Sequence, residues 1–227
     1  MSKLILLYKR RPGLDVSEFH GRMRGQTETI EACAGLNRYV QSHTLIQGYR
    51  KGELLFDGMG ECSFDSLSSA RKALSDLEGG IWGGEAGFAE PALTVRMLVD
   101  VHVAKAGAVV ADAVKNIEFV NRRPGMPLDR FRRYWREVHG PIGARIPGIL
   151  RYEQNHVHAS SYEGLSVPRF DGLAITWFAS TAEMRKGAAT PEYEITRADE
   201  ANFLPDGHLP IIITREVVDI GGASGNP

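Results

Sequence analysis

Two short apolar runs set the pattern of the chain. Leu4 to Tyr8 (LILLY) leads into Lys-Arg-Arg-Pro-Gly, and Ile117 to Val120 (IEFV) leads into Asn-Arg-Arg-Pro-Gly. Each predicts a strand that ends in a turn and turns toward a helix. After the second turn, Leu128, Phe131, Trp135, Val138 and Ile142 recur at spacings of three and four. That period predicts an amphipathic helix, stopped by Pro147-Gly148 and kinked earlier at Gly140-Pro141. Arg151 to His158 and Gly172 to Phe178 are rich in β-formers and predict two strands, with the loop Ala159 to Asp171 between them. Ser180 suits the N-cap of a second helix whose final stretch runs through Ile195 to Phe203. Leu209 to Ile220 (LPIIITREVVDI) then predicts a last strand.

The pattern occurs twice. Lys9–Phe19 (KRRPGLDVSEF) aligns with Asn121–Phe131 (NRRPGMPLDRF), Gly35–His43 (GLNRYVQSH) with Gly148–His156 (GILRYEQNH), and Phe56–Ser66 (FDGMGECSFDS) with Phe170–Ser180 (FDGLAITWFAS). The matches are collinear and their offset drifts by single residues, as small loop insertions would produce. Each copy reads βαββαβ, an antiparallel sheet with helices on one face. The expected fold is α+β: two tandem ferredoxin-like repeats, 1–103 and 114–220, packing sheet to sheet as an α+β barrel. Residues 104–113 join them, and 221–227 form a flexible tail.

Composition narrows the partners. Of 227 residues, 43% are hydrophobic and 24% charged, the balance of an ordinary globular chain. Lys and Arg number 27 against 28 Asp and Glu, which gives no electrostatic reason to expect nucleic acid or a membrane surface. No Gly-rich phosphate loop stands at a strand–helix turn. Cys33 and Cys62 form no CxxC pair, and with the apolar-then-basic N-terminus they point to a cytoplasmic chain without a disulfide framework.

The second copy resembles an EthD domain of the dimeric α+β-barrel superfamily. The likeness rests on NRRPGM, FRRYWREVHGP, PGILRYEQNHV, RFDGLAITWF, PEYEITRADEANF and LPIIITREVV and covers most of Val114 to Ile220. The first copy is similar but eroded, with Thr27 at the place of His139. The resemblance implies the barrel fold. It also implies a cofactor-free lyase or isomerase, of dehydratase or decarboxylase type, on a small cyclic or aromatic compound from a catabolic or polyketide-type pathway. A non-catalytic carrier of a small hydrophobic ligand is the alternative, and a cofactor-free or haem-assisted oxygenase is a third. The partner expected is a small molecule, with a homodimer allowed and no cofactor or metal required.

The chemistry expected is general acid/base work. His139 stands four residues after Trp135 at the edge of the apolar stripe, where it suits proton transfer or, alternatively, a favourable contact with the helix C-terminus. Glu118 interrupts IEFV where the first copy has Leu6, so it either faces a wet cavity as a catalytic acid/base complement to His139 or pairs with an arginine such as Arg151. Asp199, with Glu200 and Asn202, ends the second helix beside Phe203, as a second proton-transfer group or a solvated face, and Asn202 and Phe203 are candidates to bind the substrate. Tyr134 and Trp135 are candidates to stack a planar substrate. Asn155 and His156 are substrate-binding candidates on opposite faces of one strand; His43 matches His156, which alternatively suits a structural task. His156 and His158 with Glu163 approach a metal-binding spacing, in the wrong glycine frame for it. In the first copy, Trp82 and its glycines (Gly79 to Gly87) are a candidate lid.

Overall fold

The computed structural model describes residues 2–79, 87–163 and 167–221. The candidate lid residue Trp82 and the tail after Gly221 lie outside the described residues. The chain folds as a mixed α+β protein with two compact units, Met1–Asp100 with Thr214–Pro227 and Val101–Ile213.

The first unit runs β1 (Ser2–Tyr8), α1 (Val16–Arg24), α2 (Thr27–Glu31), β2 (Leu36–Thr44), β3 (Gly58–Phe64), α3 (Leu67–Gly79) and β4 (Val95–Lys105). Strand β1 pairs antiparallel with β3 and β4, and β2 pairs with β3 and with part of β8 (Ile211–Gly221). The LILLY run does not alternate because β1 is buried on both faces. Leu4, Leu6 and Tyr8 pack with Phe19 and Met23 of α1 and with Phe64, Leu77 and Phe88 in one core. Asp15 caps α1 by accepting the Ser17 N–H at 2.7 Å.

The second unit runs β5 (Val114–Val120), α4 (Leu128–Tyr134), a π-helical turn (Trp135–His139), α5 (Gly140–Gly143), β6 (Ile149–Val157), β7 (Gly172–Phe178), α6 (Thr181–Gly187) and α7 (Pro191–Glu200), then enters β8. β7 lies antiparallel between β5 and β6. In hydrogen-bonded order the eight strands read β1-β3-β2-β8-β5-β7-β6-β4 and close as a barrel.

The local chemistry differs from the expectation in two places. The first helix of this unit carries a π turn, in which the Gly140 N–H reaches Trp135 O. A π turn holds one extra residue. The apolar stripe therefore breaks at Val138, which is 41% exposed, and His139 takes the buried side at 7%. A Cβ at Gly140 would stand 2.8 Å from Gln154 Nε2, a buried amide that donates to Trp135 O at 2.7 Å and would have to give way. The expected single helix after Ser180 is two: Ser180 caps α6, and Thr190 with Pro191 at the first turn starts α7.

The first arginine of each Arg-Arg-Pro-Gly run meets the aspartate of a Phe-Asp-Gly motif as a clamp. Arg10 donates its backbone N–H to Asp57 at 2.8 Å and its guanidinium at 2.5 Å, and the Tyr49 hydroxyl donates at 2.5 Å. In the second unit Arg122 gives Asp171 the same two kinds of bond, and Tyr162 donates at 2.6 Å. Asp57 is fully buried and Asp171 is 6% exposed. Gly125, at φ 81°, turns the chain back toward this clamp, as Gly13 does in the first unit.

Candidate functional site

The second unit holds a cavity of about 440 Å³ on the helix-side face of its sheet, of a size that suits a small molecule. Strand alternation decides what reaches it. Asn116 and Glu118 project from β5, Tyr152 from β6, and Ala174, Thr176 and Phe178 from β7. The cross-strand partners of Glu118 and Asn116 on β7 are Ala174 and Thr176. These short side chains leave the volume open. Met184 of α6 and Ala188 at its C-cap, with Tyr193, Thr196, Arg197 and Glu200 of α7, form further walls, joined by His208 and Leu209.

His139 lines this cavity from the π turn. Its Nδ1 lies 2.9 Å from Asp199 Oδ2. Asp199 also accepts the Tyr134 hydroxyl at 2.7 Å and the Asn202 amide at 3.1 Å, both on Oδ1. Phe203 packs on the imidazole with ring centres 4.7 Å apart. Burial holds the His139 pKa below the usual histidine value, although Asp199 pulls it up. Burial pushes Asp199 upward, but the hydrogen bonds from Tyr134, His139 and Asn202 outweigh it and keep the carboxyl below its usual value. The pair is therefore a neutral imidazole donating Nδ1–H to a carboxylate, which leaves the Nε2 lone pair free to take a proton.

Two more carboxyls share the cavity. Burial raises Glu118 above the usual range, against a hydrogen bond from Asn116 and the charge of Arg197. Glu200 is pushed up to about 7 by burial, opposed by Arg197 and assisted by the charge of Glu118. Arg197 forms an ion pair with Glu200 and approaches His208 Nδ1 at 3.1 Å.

Of the residues singled out in sequence, His139 and Glu118 reach the cavity wall, Asp199 and Phe203 contact His139, and Tyr134 and Asn202 bond Asp199. Tyr134 serves Asp199 through its hydroxyl rather than lying open as a stacking platform. Trp135 is 1% exposed, packed against Phe131 and His156, and a Cβ on Gly172 would clash with its ring at 2.7 Å. Asn155 points to the face of β6 away from Tyr152 and the cavity. Arg151 pairs with Glu153 rather than Glu118. His158 caps a 3-10 turn at Ala159–Tyr162 within the expected loop. Asn116, Thr176, Arg197 and His208 were not anticipated. Parity with Glu118 was the available signal for Asn116, and helical i, i+3 spacing to Glu200 the one for Arg197.

His156 is 4% exposed, and neither ring nitrogen has a hydrogen-bond partner among the described residues. Burial, followed by the charges of Arg132, His102 and Arg136, lowers its pKa to about 3. His43 is also lowered to about 3, by burial and then by His20 and Arg24. Between an unfolded value near 6.5 and these folded values, the unfolded chain binds more protons. Stability is therefore complete above about 6.5 and falls as the pH is lowered toward 3, by up to about 1.4 kcal/mol per pH unit for each histidine. Urea midpoints at pH 7.5 and pH 5 should show this loss, and His156→Phe should lessen it. An unchanged pH dependence in that variant would refute the assignment.

Residues 123–206 match the EthD domain. No curated protein matches the chain in sequence. Solved structures resemble it over nearly its full length. An anthrone oxidase-like protein has a TM-score of 0.66 at 9% identity, over 96% of this chain and 92% of its own. A candidate monooxygenase of Fusobacterium nucleatum has 0.61 at 6%, over 97% and 94%. A haem-binding protein of Thermus thermophilus has 0.53 at 12%, over 96% and 91%. The likeness shows a shared fold. It also corrects the expectation of a cofactor-free lyase or isomerase: these relatives bear oxidase, monooxygenase and haem-binding names. No helix among the described residues is long and apolar enough to cross a membrane.

Proposed function

We propose that this protein is an oxygenase of a small cyclic or aromatic compound, working in the cavity of the second unit. The observation that carries the reading is the buried His139–Asp199 pair on the wall of that largely apolar cavity. The names of the structural relatives favour it over the other classes. An activated ring methylene, as in an anthrone, loses a proton to His139 Nε2. The carbanion transfers an electron to O2, and recombination with protonation gives a carbon-bound hydroperoxide. Loss of the second proton from that carbon cleaves the O–O bond, forming a carbonyl and releasing water. One O2 and one methylene thus yield one carbonyl and one water, with both electron pairs drawn from the substrate. Asp199 fixes the imidazole tautomer, and the apolar walls exclude bulk water.

A haem-assisted variant has one observation in its favour: an imidazole whose Nδ1 is held by a carboxylate is arranged as metal-binding histidines are. His139 would hold the iron through Nε2, backed by Asp199, and the haem would supply oxygen or peroxide activation. We also infer that residues 1–103 and 114–220 are tandem copies of an EthD-type unit of the dimeric α+β-barrel superfamily. The matching Arg–Asp–Tyr clamps support this. The oxygenase reading is tested with an anthrone under air and under argon. Expected is one O2 consumed per carbonyl formed, with label from 18O2 in the product. A ligand bound and released unchanged under air would overturn the reading, and a Soret band in the purified protein would select the haem variant.

A further inference from the structure

The base at His139 leaves open what the cavity selects. Glu118 stands mid-strand on β5 among the walls of the cavity. Asn116 Nδ2 donates to its Oε1 at 3.0 Å, and its other oxygen has no protein partner among the described residues. The cation that acts on it, Arg197, is committed to Glu200 and His208. Among the apolar walls are Ile146, Ile149, Phe178 and Leu209. A carboxyl with one oxygen fixed and the other turned to a mostly apolar cavity calls for a hydrogen-bonding ligand group.

We propose that Glu118 is the specificity-determining residue of this cavity, holding a hydroxyl or carbonyl oxygen of a neutral ring compound and rejecting ring carboxylates. The proposal rests on the cavity being the substrate site of the oxygenase reading, and it names the substrate class. A phenolic hydroxyl can donate to the carboxylate, and a ring carbonyl can accept from the carboxylic acid. A ligand carboxylate would instead bring a third acid beside Glu118 and Glu200. Arg197, already shared with Glu200, cannot balance it without abandoning that pair. A plain hydrocarbon would leave the Glu118 oxygen unpartnered.

The test is calorimetric binding of 2-naphthol, 2-naphthoate and naphthalene to the whole chain, with no turnover measured. The wild type should bind 2-naphthol about tenfold or more tightly than either of the others. Glu118→Gln keeps a donor and an acceptor without charge, so 2-naphthol should stay within a few-fold while 2-naphthoate gains about tenfold. Glu118→Leu restores the residue type of the first half and should lose the preference for 2-naphthol over naphthalene. Circular dichroism checks that both variants fold. Equal binding of 2-naphthol and 2-naphthoate by the wild type, unchanged preferences in both variants, or no binding of any of the three overturns the proposal. Absent oxygen uptake with intact binding preferences would instead count against the oxygenase reading alone.

Discussion

Replacing His139 by alanine is expected to lower oxygen-dependent turnover about a hundredfold or more, the usual size of a positioned base. The fold should survive, because the imidazole borders an existing cavity and its removal enlarges a space already open. Asp199→Asn should be nearly as damaging. An amide can present N–H to Nδ1, which moves the imidazole proton to Nε2 and removes the lone pair that does the work. Tyr134→Phe removes one of the hydrogen bonds to Asp199 and should cost far less. Because burial lowers the His139 pKa, the wild-type rate should hold through neutrality and fall only below the ordinary histidine value. Initial rates of O2 uptake across pH 5 to 8 decide the matter. Undiminished uptake by His139→Ala would remove the base from the mechanism.

How far the sequence could be read depended on which interactions were local. Strand β7 was legible to the residue because Gly172 to Phe178 is bounded by Phe-Asp before it and Ala-Ser after it. Glu118 stood out because a carboxylate in an apolar strand needs a polar partner, and Asn116 supplies one to Oε1 at 3.0 Å. The burial of His139 was harder to see, since it turns on a π bulge that no periodicity announces. A strict helical period put Val138 on the inner face, and the extra residue of the bulge reversed the two. Asn155 and His156 were placed on opposite faces of β6 correctly, but not which face met the cavity. That depends on where α5 and α7 pack, which is a tertiary fact. Arg197 carried only its i, i+3 spacing to Glu200 as a signal, for a related reason: the packed structure is what shows it shared between Glu200 and His208.

Removing the carboxylate of a clamp should be the most destabilising single change of those considered. Asp57 is fully buried and gathers the Arg10 backbone N–H, the Arg10 guanidinium, the Tyr49 hydroxyl and, at 3.2 Å, Lys9 Nζ. Asp57→Ala leaves two cations and two neutral donors around an empty carboxylate site, and breaking one side of such a buried pair costs about 3–5 kcal/mol. Asp171→Ala should cost somewhat less, because Arg122 is 27% exposed in its side chain and can be solvated in part. The surface pair Arg38–Asp219 makes the contrast. Its side chains are 48% and 47% exposed, so Asp219→Ala should change stability by no more than about 1 kcal/mol. Denaturant midpoints with slopes measured for each variant check the order. Where Asp57→Ala does not fold, Tyr49→Phe and Asp57→Asn give the same ranking at smaller size. If Asp57 and Asp219 proved equal in cost, the clamp would be an ornament of the turn. If the ranking holds, the Arg-Arg-Pro-Gly and Phe-Asp-Gly motifs recur because each strand end needs a buried carboxylate to tie the turn to its neighbour.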